Sequence, residues 1–466
     1  MLRISNHHVS KIISVLLLVE VAILIASVYL GAGIRFHGAT MRYIGTQSNS
    51  FFLSACAFAM VIVFSMSALG MYQANFREGL RNTLLRLMPS FALGIGLITL
   101  IFYLIPELYF GRGLLGLVIV ISAFGILIAR VLVFKSSESG LLVSRILFLG
   151  SGPLAKECHD LAINNIAYHK YDIVGFVPTP NEECQVPAWA ILSADESLLS
   201  IANRHNASEV VVSVRDRRGG SFPIDDLLEC KLNGIKVTDA PAFFEREACQ
   251  IRVDFLQPSW LIFGSGFDQS FLRAFGKRSF DLLVSMLLFI VALPVMLITG
   301  LFIFLEDRGP IFYRQERVGK DGHTYMVMKF RSMRNDAESG GKPQWAKTND
   351  PRTTKVGSFI RMARIDELPQ ILNVLKGEMS FVGPRPERPF FVQQLCKEIP
   401  FYNMRHSIKP GITGMAQVRY QYGASVEDAV QKLQYDLYYV KNNSLFLDIL
   451  ILIDTLQVVL LGKGAR

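Results

Sequence analysis

Charged residues are scarce in this 466-residue chain: they make up 19% of it, while hydrophobic residues make up 51%. A soluble domain carries about 25% charged residues, so this composition excludes disorder, collagen and a coiled coil and favours membrane association. Cysteine is also sparse. The six cysteines lie far apart without a C-x-x-C pair, which argues against a disulfide framework and a zinc site. The net charge of +9 fits an anionic lipid, a phosphorylated small molecule or nucleic acid as partner.

Four long apolar runs occupy residues 12–30, 50–72, 84–105 and 113–134. Runs of about 20 residues are long enough to cross the hydrocarbon core of a bilayer as helices. Glu20 lies inside the first run, so we expect it to face other helices rather than lipid. The basic residues near the run ends divide into eight on one side (Arg3, Lys11, Arg77, Arg81, Arg86, Arg130, Lys135, Arg145) and three on the other (Arg35, Arg42, Arg112). Because the richer side is usually cytoplasmic, the N-terminus and the segment after residue 134 are predicted to be cytoplasmic.

The pattern becomes α/β between residue 145 and about residue 240. The runs RILFLG, YDIVGFV, EVVVSV and GIKVTD predict four strands, with helices at residues 193–205 and 224–232 between them. Strands that alternate with helices indicate a parallel, doubly wound sheet, which is a Rossmann-like arrangement.

A glycine-rich loop follows the first of these strands. Gly150, Gly152 and Ala155 give the form G-x-G-x-x-A, which in dinucleotide-binding folds lets the backbone approach a pyrophosphate. However, Pro153 removes an N–H from the loop, and the second strand ends in GFVPTP, without an acidic residue for a ribose. A relic of the fold or a regulatory nucleotide site is therefore favoured over redox catalysis.

A fifth apolar run, residues 280–305, has basic residues on both sides and Pro294 near its middle. A straight span would place one basic flank outside the cell. A re-entrant helix that breaks at Pro294 and returns to the same face satisfies both flanks, because proline removes a backbone donor and kinks the helix. The C-terminal run SLFLDILILIDTLQVVLLG contains Asp448 and Asp454, so we expect it to lie in the membrane interface, with a buried helix as the alternative.

Residues 361–380 contain two adjacent carboxylates, Asp366 and Glu367, ahead of an amphipathic helical pattern at Leu368, Ile371, Leu372 and Leu375. At the start of a helix, such a pair is suited to one nucleophile and one metal ligand. Taken alone, the pair favours a plain acidic N-cap over a catalytic pair.

Basic groups surround this pair in the sequence. Arg385 is presented by the stiff, proline-rich loop FVGPRPERP and is suited to clamping phosphate. The strand-like run YMVMKFRSM delivers Lys329 and Arg331, and YDLYYV places Asp436 among aromatic residues. Together these groups indicate chemistry on a phosphorylated substrate at a bilayer surface.

Residues 277–461 resemble the bacterial sugar transferase family, the monotopic phosphoglycosyl transferases. The matching runs are KRSFDLLVS, GPIFYRQERVG, MKFRSM, DPRTTKVGSFIR, DELPQILNVLKGEMSFVGPRPE, KPGITGMAQV and YDLYYVKNNSLFLDILIL. The whole chain looks like the large, exopolysaccharide-type members. Its N-terminal run ISNHHVSKIISVLLLVEVAIL is similar to sugar transferases of exosortase-associated systems.

The resemblance implies a role for each matching residue. Asp366 is the expected nucleophile and Glu367 the expected Mg²⁺ ligand. Arg361 and Arg385 are expected on the sugar-nucleotide phosphates. Lys329, Arg331 and Asp436 are the other expected substrate-binding residues. Pro294 matches the proline that breaks the re-entrant helix, but Leu293 stands where many relatives have serine, so a hydrogen-bond role for that serine is unsupported here.

The function that follows is transfer of a sugar-1-phosphate from a UDP-sugar to undecaprenyl phosphate at the cytoplasmic face of the bacterial inner membrane, with Mg²⁺ and a covalent Asp intermediate. The expected domains are four transmembrane helices (1–140), a Rossmann-like domain (141–265) and a catalytic domain (266–466). Nucleic acid is not an expected partner. The sugar and a homo-oligomeric state are left open. The alternatives are an NAD-dependent nucleotide-sugar dehydratase or epimerase and a non-enzymatic membrane scaffold.

Overall fold

The chain forms two compact units in a computed structural model. One unit comprises Met1–Leu2 and His8–Ala248, and the other comprises Arg3–His7 and Cys249–Arg466. The residues described are 2–4, 7–9, 11–36, 48–72, 80–138, 143–164, 171–180, 182–193, 195–215, 222–256, 266–267, 270–334, 352–420, 423 and 425–460. The chain begins with two three-residue strands, β1 (Leu2–Ile4) and β2 (His7–Val9).

The first unit contains the four apolar helices that the sequence predicts. They are α1 (Lys11–Phe36), α2 (Ser48–Ala68), α3 (Leu80–Leu104) and α4 (Arg112–Glu138). Their shared core is apolar and includes the buried residues Leu24, Phe58, Ile62 and Val118. Many of their other apolar side chains are exposed, as expected for helices that face lipid. With the long helix of the second unit, five helices of the described chain are long and apolar enough to cross a membrane.

A buried ion pair joins α1 to α4. Arg130 Nε donates to Glu20 Oε1 at 2.6 Å, and the Tyr72 hydroxyl donates to Glu20 Oε2 at 2.5 Å. Glu20 is fully buried and Arg130 is 2% exposed. The expectation that Glu20 faces other helices is confirmed, because a carboxylate is tolerated at this depth only with partners.

The first unit also contains the parallel sheet that the alternating pattern predicts. Its strands are β3 (Ser144–Leu149), β4 (Tyr171–Val177), β5 (Glu209–Val212) and β6 (Lys236–Asp239), in the order β4-β3-β5-β6. Its helices are α5 (Pro153–Asn164), α6 (Leu198–Arg204), α7 (Ile224–Leu232) and α8 (Ala240–Ala248). The strand order reverses beside β3, so the glycine-rich loop after β3 lies at the switch point of the sheet.

The second unit combines a long helix with two small sheets and shorter helices. The hairpin β7 (Phe312–Val318) and β8 (Thr324–Phe330) is antiparallel, and β9 (Ser380–Val382) pairs in parallel with β10 (Gly411–Thr413). The helices are α9 (Phe271–Asp307), α10 (Lys355–Met362), α11 (Ile371–Lys376), α12 (Pro389–Glu398), α13 (Met415–Arg419), α14 (Val426–Asn442) and α15 (Leu445–Leu460).

The long helix α9 has one buried face between Asp281 and Ile303. The buried residues are Asp281, Ser285, Ala292, Met296, Thr299, Gly300 and Ile303, which recur at helical spacing. The opposite face is apolar and exposed, with Leu283, Ile290 and Val291 each at least 60% exposed. Pro294 lies inside this one helix, Phe271–Asp307. A kink at Pro294 and a re-entrant path through the membrane stay predictions.

The C-terminal helix α15 is held in the second unit by its own carboxylates. Asp448 accepts hydrogen bonds from Lys277 Nζ at 2.8 Å and from the Tyr439 hydroxyl at 2.6 Å. Asp454 lies 3.1 Å from Arg419. Both acids therefore face protein, while Ile449 on another side of the helix is 46% exposed. Placement of this helix in the membrane interface stays a prediction.

Candidate active site

The two adjacent carboxylates lie between two helices of the second unit. Arg364 adopts a left-handed conformation (φ 55°) directly after α10, and Asp366 and Glu367 follow in a 3-10 turn, Ile365–Gln370. The α-helix begins only at Ile371. The expectation of an α-helical N-terminus at the pair is thus wrong by one turn. Pro369 lacks the N–H that an α-helical bond to Ile365 would need.

Glu367 is clamped by two cations. Its Oε1 accepts from Lys329 Nζ at 3.0 Å and from Arg385 Nη2 at 2.8 Å. Burial alone raises the pKa of Glu367, but the Arg385 and Lys329 charges outweigh burial and hold that pKa well below its ordinary range. Glu367 therefore stays ionised.

Asp366 experiences the opposite balance. Burial and the adjoining Glu367 carboxylate raise the pKa of Asp366 above its ordinary value. The cations Lys329, Arg361 and Arg385 oppose this rise without cancelling it. Two neighbouring carboxylates thus have their pKa values pushed apart, an arrangement typical of sites that give two acids different roles.

Four consecutive carbonyls fix the loop that carries Arg385. The carbonyls of residues 384, 385, 386 and 387 accept, in that order, from Gly411 N (3.0 Å), Arg405 Nη2 (2.8 Å), Arg317 Nη1 (3.0 Å) and Val318 N (2.9 Å). Prolines at 384 and 386 restrict the backbone further. The loop is thus rigid on both sides of Arg385, as its sequence predicts.

Asp436 reaches this loop through another side chain. It is 1% exposed, and its Oδ2 accepts from Arg405 Nε at 3.0 Å, with Arg405 Nη2 at 2.8 Å. Sequence reasoning missed Arg405, although it joins Asp436 to the Arg385 carbonyl. Asp436 and the Arg385 carbonyl lie 31 and 20 residues away from Arg405 in the chain, so no local pattern marks this link.

Two further predicted residues lie away from the carboxylate pair. Arg331 is buried and pairs with Asp307 at the end of α9, which ties the β7–β8 hairpin to that helix. Pro294 lies within α9. Arg361, by contrast, lies in the last turn of α10 and its charge acts on Asp366. The structure therefore brings together Asp366, Glu367, Lys329, Arg361 and Arg385.

Asn373 is a second positioning residue that the sequence did not reveal. Its side-chain amide donates to the Met326 carbonyl at 2.8 Å and accepts from Met328 N at 3.0 Å. It thereby completes the free edge of β8 and fixes α11 against that strand. Lys329, the next residue of β8, is placed against Glu367 as a result.

The site fits Mg²⁺ as a shared ion rather than as a protein-caged one. Among the described residues, no three His, Cys, Asp or Glu side chains converge on a point. Mg²⁺ is commonly held by one or two carboxylates together with substrate phosphates and water. Glu367, the expected ligand, offers one such carboxylate, although its Oε1 already accepts from two cations. Binding of Mg²⁺ stays a prediction.

The glycine-rich loop of the first unit is filled by a carboxylate of the same chain. Glu182 Oε2 accepts from Ser151 N at 3.3 Å and from the Thr179 hydroxyl at 3.0 Å. Its carboxyl carbon lies 3.3 Å from where a Cβ would stand on Gly152. An anionic pyrophosphate in this loop would meet a negative charge, which weighs against the NAD-dependent alternative.

Comparison with known proteins decides the family. The sequence profile described as Bacterial sugar transferase matches residues 272–462, the part that contains the carboxylate pair. The exopolysaccharide production protein PSS of Rhizobium leguminosarum bv. phaseoli is 40% identical over 198 residues, which is 40% of this chain and 97% of that protein. The chain belongs to the bacterial sugar transferase family.

Two other relatives have names that state their substrates. One is the UDP-N-acetylgalactosamine-undecaprenyl-phosphate N-acetylgalactosaminephosphotransferase of Aeromonas hydrophila, 43% identical over 240 residues, 52% of this chain and 56% of that protein. The other is the UDP-glucose:undecaprenyl-phosphate glucose-1-phosphate transferase of Klebsiella pneumoniae, 40% identical over 191 residues, 41% of each chain. The match therefore spans about half or less of these relatives.

Proposed function

We propose that this chain transfers a sugar-1-phosphate from a UDP-sugar to undecaprenyl phosphate, the first membrane step of exopolysaccharide assembly. The observation that carries the proposal is the pair Asp366 and Glu367, whose pKa values are shifted in opposite directions within a set of cations. Family membership and the names of the relatives support the same reaction class. Those names differ in the sugar, so the sugar stays open.

Asp366 is the proposed nucleophile. Its carboxylate oxygen attacks the phosphorus that bears the sugar, the bond from that phosphorus to the bridging oxygen breaks, and UMP leaves. A phosphate oxygen of undecaprenyl phosphate then attacks the same phosphorus and releases Asp366. Covalent catalysis of this kind divides one difficult step into two easier ones. The raised Asp366 pKa supports this role, because a more basic carboxylate is a better nucleophile once it is ionised.

Glu367 and the cations have a charge-balancing role. Arg385 and Lys329 lie within 3.0 Å of Glu367. Both are proposed to bind the diphosphate of the UDP-sugar. Glu367 would hold Mg²⁺, and the bound ion would supply positive charge to offset the phosphates. Arg361 is proposed on the same phosphates from the side of Asp366.

The contacts of α9 support a monotopic placement of the catalytic unit. Near its start, Arg278 donates to the carbonyls of Val374 (2.6 Å) and Leu375 (2.8 Å). At its end, Glu306 accepts from Lys355 N at 2.9 Å. Both ends thus bind the same folded unit, while the outer face is apolar. We infer that both ends lie at the cytoplasmic face, with that outer face in lipid.

The reaction is tested with purified protein, undecaprenyl phosphate in nanodiscs and a panel of UDP-sugars, followed by UMP release. Asp366→Asn should reduce UMP release by several orders of magnitude. Without acceptor lipid, wild-type protein should retain a sugar phosphate on the peptide that contains Asp366, detectable by mass spectrometry. Asp254→Asn, which changes an exposed carboxylate of the same unit, is the matched control and should be fully active.

Two outcomes would contradict the proposal. If none of the UDP-sugars yields UMP, the proposed reaction is wrong. If UMP appears only when both substrates are bound and no adduct forms, Asp366 is a general base for direct attack and the covalent step is wrong. Glu367→Gln should also be severe, but added Mg²⁺ should partly restore it if metal ligation is its main task.

A further inference from the structure

We propose that Asp436 is a positioning residue that acts on the site through Arg405 rather than by touching substrate. Arg405 has three partners at once: Nε and Nη2 face Asp436 Oδ2 at 3.0 and 2.8 Å, Nη1 donates to the Tyr402 hydroxyl at 2.8 Å, and Nη2 donates to the Arg385 carbonyl at 2.8 Å. The inference rests on the proposed function, because Arg385 matters there as a phosphate clamp.

Burial separates Asp436 from any substrate. The Asp436 side chain is 2% exposed and the Arg405 side chain 6% exposed, whereas Arg385 is 37% exposed. Of the three, only Arg385 is open to a ligand to any extent. The order Asp436, Arg405, Arg385 thus runs from the interior to the site, and each step is a hydrogen bond of 3.0 Å or less.

Arg405 is one of two side chains that hold the loop at residues 384–387. Of the four donors to the carbonyls of residues 384–387, Gly411 and Val318 donate from the backbone, and Arg405 and Arg317 donate from side chains. Arg405 donates to the carbonyl of Arg385 itself, so it fixes the backbone of the residue that carries the clamp. The Arg385 guanidinium in turn holds Glu367, so a shift of the loop would be passed to the carboxylate pair.

A lysine at position 405 separates charge from geometry. An ammonium group keeps the positive charge beside Asp436, but it lacks the planar fork that reaches Asp436, Tyr402 and the Arg385 carbonyl together. Arg405→Lys should therefore fold while loosening the loop. Asp436→Asn keeps the shape of the carboxylate but weakens its hold on Arg405.

The test is a double-mutant cycle on UMP release. Arg405→Lys and Asp436→Asn should each lower kcat/KM about 10- to 100-fold, the range expected when a site is misplaced by about 1 Å. The double variant should fall no more than about 3-fold below the worse single variant, because both changes break one connection. If the double variant instead shows the product of the two losses, Asp436 acts independently of Arg405 and the proposal is overturned.

A second readout does not depend on activity. Amide hydrogen exchange of the peptide 383–388 should be faster in both single variants than in wild type. Arg419→Lys changes another arginine–carboxylate pair of the same unit, at 3.1 Å from Asp454, and should leave that peptide unchanged. Unchanged exchange in Arg405→Lys would overturn the positioning role. If wild-type protein releases no UMP with any UDP-sugar, the proposed function fails, while the exchange comparison still decides whether Arg405 positions the loop.

Discussion

Lys329→Met provides a sharp test of the electrostatics of the carboxylate pair. The ammonium group lies 3.0 Å from Glu367 Oε1, and the Lys329 side chain is 23% exposed, so solvent screens the pair only in part. A hydrogen bond to a charged group is worth about 1.5–3 kcal/mol, which equals about one to two pKa units. Removing Lys329 should therefore raise the Glu367 pKa by about that amount.

The same change should affect Asp366 in the same direction. The Lys329 charge also lowers the Asp366 pKa, so its loss moves an already raised pKa further up. A nucleophile that must be ionised then loses activity first at low pH and regains it as the pH rises. We expect the acid limb of kcat/KM to move up by about one unit in Lys329→Met, with activity partly restored at alkaline pH.

The assay is UMP release measured from about pH 5 to pH 9. Lys397→Met removes an exposed lysine of α12 and controls for the change in net charge; its profile should match that of wild type. If Lys329→Met lowers activity by the same factor at every pH, with the acid limb unmoved, Lys329 acts only on the substrate phosphates and the proposed tuning of the pair is wrong.

Three smaller predictions concern stability. Glu20→Gln or Arg130→Met should each lower the free energy of unfolding by about 3–5 kcal/mol, because each leaves a buried partner unpaired. Combining Glu20→Leu with Arg130→Met should restore much of the thermal stability in detergent. If the losses of the two single changes simply add in the double variant, the pairing is contradicted. Burial and the neighbouring Arg405 lower the pKa of His406 to about 4. The free energy of unfolding should therefore fall by up to about 3 kcal/mol as the pH drops from about 6.5 to 4. His406→Gln should flatten this pH dependence in denaturant titrations. Glu182→Ala should cost about 1 kcal/mol as the loss of its hydrogen bonds to the loop and should leave UMP release unchanged with or without NAD. Dependence of UMP release on NAD would refute this interpretation of the loop.

Local sequence patterns predicted the bounds of several strands and helices of the first unit. The run YDIVGFV has the bounds of β4, Tyr171–Val177, and the helix expected at residues 224–232 has the bounds of α7. The helix expected at residues 193–205 begins only at Leu198, because the Ser197 side chain caps it by accepting from Ser200 N. Apolar periodicity shows where a helix packs, but the cap decides where it begins.

The sequence revealed the site residues that residue type and loop composition mark. It did not reveal residues whose position depends on partners far away in the chain. Arg385 on its proline-rich loop and Lys329 on its strand lie beside Glu367, while their expected binding of substrate phosphate stays a prediction. Arg405 is separated by 31 residues from Asp436 and by 20 from Arg385. A buried ion pair across such distances has no sequence period, so only the folded structure reveals it.

The environment, not the residue type, distinguishes Asp366 from Glu367. The two are adjacent in one turn, are both largely buried and share the cationic neighbours Lys329 and Arg385, yet the direct hydrogen bonds from these two cations go to Glu367. Those bonds hold a proton off Glu367, and the resulting fixed negative charge raises the Asp366 pKa. A group that keeps its charge is suited to balancing the phosphates, and its more basic neighbour is suited to attack. Exchanging the roles would require moving both cations by one residue along the turn, which the anchored β8 strand and the pinned loop at residues 384–387 do not permit.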